Sequence, residues 1–180
     1  MDTEGKEGSF RGVFIAMIVS LLIASLWNTI PLIKNSVDAV LNPTAGALLG
    51  WNVMWGMTLL ILVLSLFTTL MQKYFTDQAT LRQMKQEQKE IQEQLRKAEK
   101  GSKEFNELSM RSIKIMGPMF KLSLRPVIYT AIPLILLFRW FSDYFTAVNF
   151  SFLGFLNWFW FYLIGSIIFS SILRKAFNVV

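Results

Sequence analysis

Hydrophilic side chains recur at helical spacing within three segments of this sequence that are otherwise strongly apolar. Spacings of three and four residues place such side chains on one face of a helix. The three sets are Ser65, Thr68, Thr69 and Gln72, followed by Lys73; Arg125, Tyr129 and Thr130; and Tyr162, Ser166, Ser170 and Arg174. Groups of these types hold water and exchange hydrogen bonds, so the chemistry they indicate is solvation rather than bond cleavage.

A polar side chain that faces lipid is costly, because nothing there replaces its hydrogen bonds to water. We therefore expect the three sets to face one another and to form a wet, positively charged recess that opens on one side of a membrane. The other halves of the same segments are nearly pure hydrocarbon and aromatic, which would close the recess on the opposite side. Ser and Thr can instead bond back to their own helix and hold helices together, and the spacing leaves both interpretations open.

The residue types that most enzymes use are missing from this chain. It contains no Cys and no His, which excludes disulfides, thiol nucleophiles and the usual zinc and haem ligand sets. There is no phosphate loop, dinucleotide fingerprint or nucleophile elbow, and Asp143 is the only carboxylate after Glu107. The sequence predicts a protein that is not an enzyme and that binds no cofactor or metal.

The elements that must position the polar sets are membrane spans. Hydrophobic residues make up 53% of the chain and charged residues only 17%, which predicts an all-α polytopic membrane protein with four spans. The predicted order is a cytosolic tail at 1–11, an additional transmembrane helix at 12–33, an external connection at 34–52, a span at 53–72, a cytosolic coiled-coil hairpin at 73–124, a span at 125–142, a short external loop at 143–152, a span at 153–173 and a cytosolic tail at 174–180.

Two of these spans depart from the usual pattern. Residues 12–33 could be a signal peptide, but acids before the segment and the lack of a small-residue cleavage site favour a retained span. Only 13 residues separate Arg125 from Arg139, so either both arginines reach to the interfaces or the bilayer is thinned around this helix. Pro133 predicts a kink. Arg139 and Asp143, one turn apart, are predicted to form an ion pair that anchors the outer interface.

A charged segment with a heptad pattern separates the two pairs of spans. Apolar or small residues repeat at alternating spacings of three and four, as at the a and d positions of a coiled coil. These are Leu81, Met84, Gln88, Ile91, Leu95 and Ala98, and then Phe105, Leu108, Ser112, Ile115 and Met119. One long helix fits the register, but the chain must return to the membrane, so a hairpin that reverses at Gly101-Ser102 is favoured.

Three methionines lie where this segment returns to the membrane, around a Gly117-Pro118 pair that is expected to break the helix. Met110, Met116 and Met119 have flexible thioether side chains that adapt to many apolar partners. They are candidate contacts for a client or partner protein, and ordinary packing against the preceding span is the alternative.

The distribution of basic residues predicts the orientation of the spans. Of the 18 Lys and Arg residues, 16 fall on the side that carries both termini and the hairpin, and only Lys34 and Arg139 fall on the other. The positive-inside rule therefore places both termini and the hairpin in the cytosol. The net positive charge of the hairpin would suit anionic headgroups or ribosomal RNA, although a solvated, salt-bridged coiled coil would look the same.

The order of these segments, together with short sequence strings, resembles the archaeal branch of the YidC/Oxa/Alb membrane protein insertase superfamily, which is related to the third subunit of the ER membrane complex and to the Get-pathway insertase. The strings are Lys73-Tyr74-Phe75-Thr76-Asp77-Gln78 before the hairpin, and Arg125-Pro126 and Ile132-Pro133 after it. The resemblance covers residues 42–175.

The resemblance implies a three-helix core with a hydrophilic groove that faces the cytosol, to which residues 12–33 add a fourth span. Its members help hydrophobic helices of nascent membrane proteins enter the bilayer without nucleotide hydrolysis. The candidate partners are the ribosome, targeting factors, the Sec translocon and membrane lipids, in the plasma membrane of a prokaryote. The alternatives from other classes are a membrane-anchored scaffold whose coiled coil recruits a cytosolic partner, and an ion channel.

Overall fold

A computed structural model describes residues 10–179 of the protein, and in that range the chain is helical almost throughout. The helices are α1 (Phe10–Leu26), α2 (Pro31–Leu41), a π-helical segment (Asn42–Gly46), α3 (Ala47–Trp51), α4 (Val53–Phe75), α5 (Gln78–Lys97), α6 (Lys103–Val148) and α7 (Trp158–Phe177). The described residues form no β-strand, which confirms the all-α class. Three helices, α4, α6 and α7, are long and apolar enough to cross a membrane.

The predicted span at 12–33 is divided between two helices. α1 ends at Leu26, α2 begins at Pro31, and the direction of the chain changes by 95° between Arg11–Leu26 and Pro31–Trp51. Proline cannot donate the backbone hydrogen bond that would continue α1, and it holds the preceding Ile30 in an extended conformation. The pair is long enough for a fourth, broken span, and the predicted external connection at 34–52 is mostly helical.

The hairpin and the next span share one helix. α6 runs for 46 residues through Pro118, Pro126 and Pro133, so the expectation that Gly117-Pro118 breaks the helix is wrong. Each proline removes one backbone hydrogen bond, but packing against α1, α4 and α5 holds the helix on both sides of each position. α6 also continues past the predicted end of the span at 142 to Val148, where Asn149 adopts a left-handed cap.

Contacts between the long helices fix their relative directions. A Cβ on Gly165 of α7 would lie 3.1 Å from Ile61 of α4, and Lys73 lies 5.5 Å from the ring of Phe177, so α4 and α7 are parallel. Phe75, at the end of α4, packs at 4.4 Å against Tyr129, early in the membrane part of α6, so these two helices are antiparallel.

α1 runs parallel to α6 on another side of the bundle. Gly12 lies beside Ile128, and Trp27 bonds to Asp143, so contacts advance in the same direction along both helices. The start of α1, the end of α4 and the end of α7 therefore lie at the hairpin end of the bundle. This arrangement agrees with a topology in which the hairpin and the described ends of the chain share one side.

Aromatic side chains fill the core at the opposite end, which we call the outer end. Trp27 and Phe141 are completely buried there, and Phe145 stacks on Trp158 with 6.1 Å between ring centres. Leu153 and Gly154 adopt positive φ angles in the tight turn before α7, so that Phe152 folds back into this core and stacks on Phe161.

α5 and the first part of α6 pack against each other as a hairpin, and the single-helix alternative is wrong. The chain reverses at Gly101, whose φ is 89°, and Ser102 caps α6 by accepting a bond from the Phe105 amide. Every predicted heptad position is buried or half-buried, and Leu81 and Ile91 are 3% and 2% exposed. Supercoiling of the two helices stays a prediction.

Candidate functional site

One face of α4 changes from apolar to polar along its length without leaving the core. Met57, Ile61, Ser65 and Thr69 follow one another at four-residue spacing, and none is more than 2% exposed. The hydroxyl oxygens of Ser65 and Thr69 have no hydrogen-bond partner among the described residues. Leaving such a group unpaired costs about 1–3 kcal/mol, so packing alone does not explain their presence.

Thr68 and Thr130 behave differently, as the helix-stabilising interpretation predicts. The hydroxyl of Thr68 donates to the carbonyl oxygens of Leu64 and Ser65 at 3.0 and 3.1 Å. The buried hydroxyl of Thr130 donates to the carbonyl oxygen of Pro126 at 3.2 Å. These two side chains are satisfied by their own helices, so a bound water or ligand is not needed to explain them.

Arg174 lies between two polar hollows at the hairpin end. The first, of about 280 Å³, runs along α7 and is lined by Ser166, Ile167, Ser170, Ser171 and Arg174. The second, of about 120 Å³, lies where α4 passes into the hairpin and is lined by Gln72, Thr76, Gln78, Leu81, Lys85, Ser123 and Arg174. Two cations line the second hollow, so an anionic or strongly polar group is the ligand chemistry it would favour.

Four polar residues of the second hollow were not among the site residues predicted from the sequence: Thr76, Gln78, Lys85 and Ser123. They belong to the hairpin or to its junction with α4, and only folding of α5 onto α6 brings them beside Arg174. The amide of Gln78 closes the junction by donating to the Gln72 carbonyl oxygen at 2.8 Å. The string from Lys73 to Gln78 contains two of these residues, Thr76 and Gln78. The sequence indicated this string only as a family motif and not as part of a binding site.

The remaining predicted residues lie outside both hollows. Lys73 sits over the Phe177 ring, half-exposed Tyr129 packs on Phe75, and Tyr162 packs edge-on against Phe138 at 4.9 Å. Arg125 is half-buried on α6. The structure therefore brings Gln72 of the α4 set beside Arg174 of the α7 set. Arg125, Tyr129 and Thr130 lie nearer the hairpin than the buried hydroxyls of α4.

The three methionines also separate into two groups. Met110 and Met116 are 58% and 50% exposed on α6. Met119 is half-buried, as its place in the heptad pattern predicts, and its carbonyl oxygen accepts a bond from Ser123 at 2.9 Å. Two of the three are thus accessible to another protein.

A second polar cluster lies near the outer end, and its pairing differs from the prediction. Asp143 pairs with Lys34 at 2.7 Å, not with Arg139, and the same carboxylate oxygen accepts a bond from the indole of Trp27 at 3.0 Å. Lys34 comes from α2, which the sequence indicated only as a connection. The Nε atom of Arg139 is buried without a partner among the described residues.

We expect Asp143→Leu to destabilise the protein, because it leaves the fully buried Trp27 indole without an acceptor and unpairs Lys34. The expected loss is about 1–3 kcal/mol, seen as a lower midpoint of thermal unfolding in detergent. Glu87→Leu is the matched control, since it breaks the exposed Glu87–Arg111 pair and should cost at most about 1 kcal/mol. Equal midpoints for the two variants would contradict the anchoring role of Asp143.

No group of His, Cys, Asp and Glu able to hold a metal ion occurs within residues 10–179.

The profile of the family described as "Integral membrane protein EMC3/TMCO1-like" matches residues 38–156, from α2 to the turn before α7. No curated protein and no solved structure matches the chain.

Proposed function

Because this chain belongs to the EMC3/TMCO1-like family of integral membrane proteins, within the YidC/Oxa1/Alb3 insertase-related superfamily, we propose that it is a membrane protein insertase or an insertase subunit. Its clients would be nascent membrane proteins, and it would act without enzymatic chemistry. By the resemblance, its proposed place is the plasma membrane of a prokaryote, namely an archaeon. The charge distribution supports an orientation with the hairpin and both termini in the cytosol.

The hydroxyls of Ser65 and Thr69, which are buried and have no partner in the described part of the chain, are the observation that carries this proposal. In an apolar bundle they stabilise nothing, yet they could bond to water or to the polar flank of a client. Such bonds would lower the barrier to moving that flank into the bilayer, because an unsatisfied polar group in hydrocarbon is costly.

The proposed route to these hydroxyls is the seam between α4 and α7. None of the residues of α7 is buried, whereas α4 and α6 both have buried residues. α7 is therefore the least buried of the three long helices. Gly165 gives α7 close contact with Ile61, one turn from Ser65. If α7 moved away from α4, Ser65 and Thr69 would become continuous with the hollow lined by Ser166, Ser170 and Arg174. The groove would then contain the residues that the sequence indicated on α4 and α7.

Site-specific photo-crosslinking during translation of a short-tailed membrane protein tests the proposal. Probes at Gln72 and Ser166 should label the nascent helix, because both line the hollows. A probe at Val63, which is 53% exposed on the same span, should label lipid. Labelling by lipid alone at all three positions would overturn the proposal.

The hairpin would supply the contacts outside the membrane. Its exposed Met110 and Met116 are proposed client contacts, and its basic residues would meet the ribosome or targeting factors. The scaffold alternative predicts something different for substitution of Ser65, Thr68, Thr69 and Gln72 by Leu. A scaffold would keep its hairpin partners and lose nothing in insertion, whereas an insertase would lose insertion.

A further inference from the structure

The second hollow brings together cations from two helices that are far apart in the sequence. Lys85 comes from α5 and Arg174 from the last turn of α7. Among the described residues that line this hollow there is no acid, and Leu81 is the one apolar side chain. Two positive charges that face one small space repel each other, so an anion between them would lower the electrostatic energy.

Acidic side chains within residues 10–179 do not supply this anion. Neither Lys85 nor Arg174 forms an ion pair with an Asp or Glu of that range. The next acid along α5, Glu87, instead accepts a bond from Arg111 at 2.6 Å. Lys85 and Arg174 are both exposed, so an anion can reach them from outside the bundle.

A buried hydroxyl also lines the second hollow. Thr76 is only 7% exposed, and its hydroxyl makes no hydrogen bond with the residues that the structure describes. The backbone N–H of Thr76 donates to the Gln72 carbonyl oxygen at 3.2 Å and holds this residue at the end of α4. Buried hydroxyls usually have a hydrogen-bond partner, because burial removes their bonds to water. The hollow therefore offers a free hydrogen-bond donor beside its two cations.

The size and the depth of the hollow indicate which anion it would take. About 120 Å³ is room for several water molecules, and so for one phosphate group. The hollow reaches Gln72, where the apolar run of α4 ends, and the chain continues with Lys73 and the 76% exposed Tyr74. A lysine and an exposed tyrosine at the end of a span are typical of the headgroup layer. The anion that this layer supplies is the phosphate group of membrane lipids.

We propose that the second hollow binds the phosphate group of an anionic phospholipid from the leaflet on the hairpin side. Lys85 and Arg174 would donate charge-assisted hydrogen bonds to the phosphate oxygens, and the Thr76 hydroxyl would donate a further bond. The bound lipid would tie the last turn of α7 to α5, beside the bond that Arg82 donates to the Asn178 carbonyl oxygen. A client that reaches Gln72 would displace this lipid, because the hollow has room for only one of them.

The test follows thermal unfolding of the full chain in a non-ionic detergent while one lipid is added. Phosphatidylglycerol should raise the midpoint until the site is saturated. Its half-saturating concentration should be about tenfold lower than that of phosphatidylcholine, whose choline group is positively charged. The difference should shrink as ionic strength rises. The measurement needs no client, so its failure would leave the insertase proposal standing.

Substitutions at the hollow locate the binding site. Lys85→Gln and Arg174→Gln each remove one cation and should weaken binding of phosphatidylglycerol about tenfold, as expected for one charge-assisted hydrogen bond. Lys89→Gln is the matched control, because it removes the same charge from an exposed position one turn along α5 that does not line the hollow. It should bind like the unaltered protein. Thr76→Val keeps the shape of the side chain and should weaken binding about fivefold.

Inorganic phosphate is the remaining arm, because it presents the same oxygens without acyl chains. At the half-saturating concentration of phosphatidylglycerol it should leave the midpoint unchanged. An equal rise with inorganic phosphate would overturn the proposal and assign the site to a soluble phosphate compound. Equal half-saturation by the two lipids would also overturn it. So would a loss of binding in Lys89→Gln as large as in Lys85→Gln, which would indicate attraction to the whole basic surface of the hairpin.

Discussion

Replacing Ser65 with Ala and Thr69 with Val should make the protein more stable and less active at the same time. Both hydroxyls are buried and lack partners among the described residues, so their removal relieves a cost of about 1–3 kcal/mol for each group. The same change removes the hydrogen bonds that we propose for a client's polar flank. We expect a higher midpoint of thermal unfolding together with an insertion rate lowered about tenfold.

The control for this double variant is Thr58→Val in the outer half of α4. The Thr58 hydroxyl already donates to the Met54 carbonyl oxygen at 2.8 Å, so its loss should leave insertion unchanged and should not stabilise the protein. Insertion is measured in proteoliposomes with a short-tailed client, and stability in the same lipid. A double variant that gains stability and keeps its full insertion rate would contradict the proposed role of the two hydroxyls.

Gly56→Ala should be the most damaging single methyl addition on α4. A Cβ there would lie 2.5 Å from the carbonyl oxygen of Leu48 and 3.0 Å from the backbone nitrogen of Leu49. Backbone atoms cannot rotate out of the way, so α3 would have to shift from α4 and disturb the packing of the fully buried Leu49. We expect a loss of about 3 kcal/mol, at the upper end of the usual cost of overpacking.

Gly50→Ala tests whether this loss comes from the close approach itself. Gly50 lies in the neighbouring α3, and a Cβ on it would meet nothing within 4 Å. Alanine also favours a helix over glycine, so this variant should be neutral or slightly stabilising. Thermal unfolding in detergent compares the two variants. Similar midpoints would show that α3 is free to move and that its contact with α4 matters little.

Local patterns predicted the parts of this fold that depend on neighbours in the sequence. Hydropathy located α4 and α7 within a few residues, and the heptad spacing predicted that Leu81 and Ile91 face the inside of the hairpin. These predictions succeed because a side chain's face is set by helical periodicity alone.

Features that depend on distant partners could not be predicted in this way. Asp143 meets Trp27 and Lys34 across 116 and 109 residues of sequence, so its nearest cation in the chain, Arg139, was a misleading choice. The same limit applies to the polar set on α4. Spacing put Thr68 and Thr69 into one set, but only packing decides that Thr68 bonds to its own helix and that Thr69 has no partner within residues 10–179.

Because α6 is one continuous helix, it connects the tip of the hairpin directly to the outer end of the bundle. At about 1.5 Å per residue, its 46 residues extend roughly 70 Å from the hairpin turn to the aromatic core at the outer end. A tilt of about 5° around the aromatic core would displace the tip of the hairpin by about 6 Å. A binding partner that moves the tip would therefore also turn the face of α6 that packs on α1 and α4, and binding at the hairpin would be felt within the bilayer through one continuous helix.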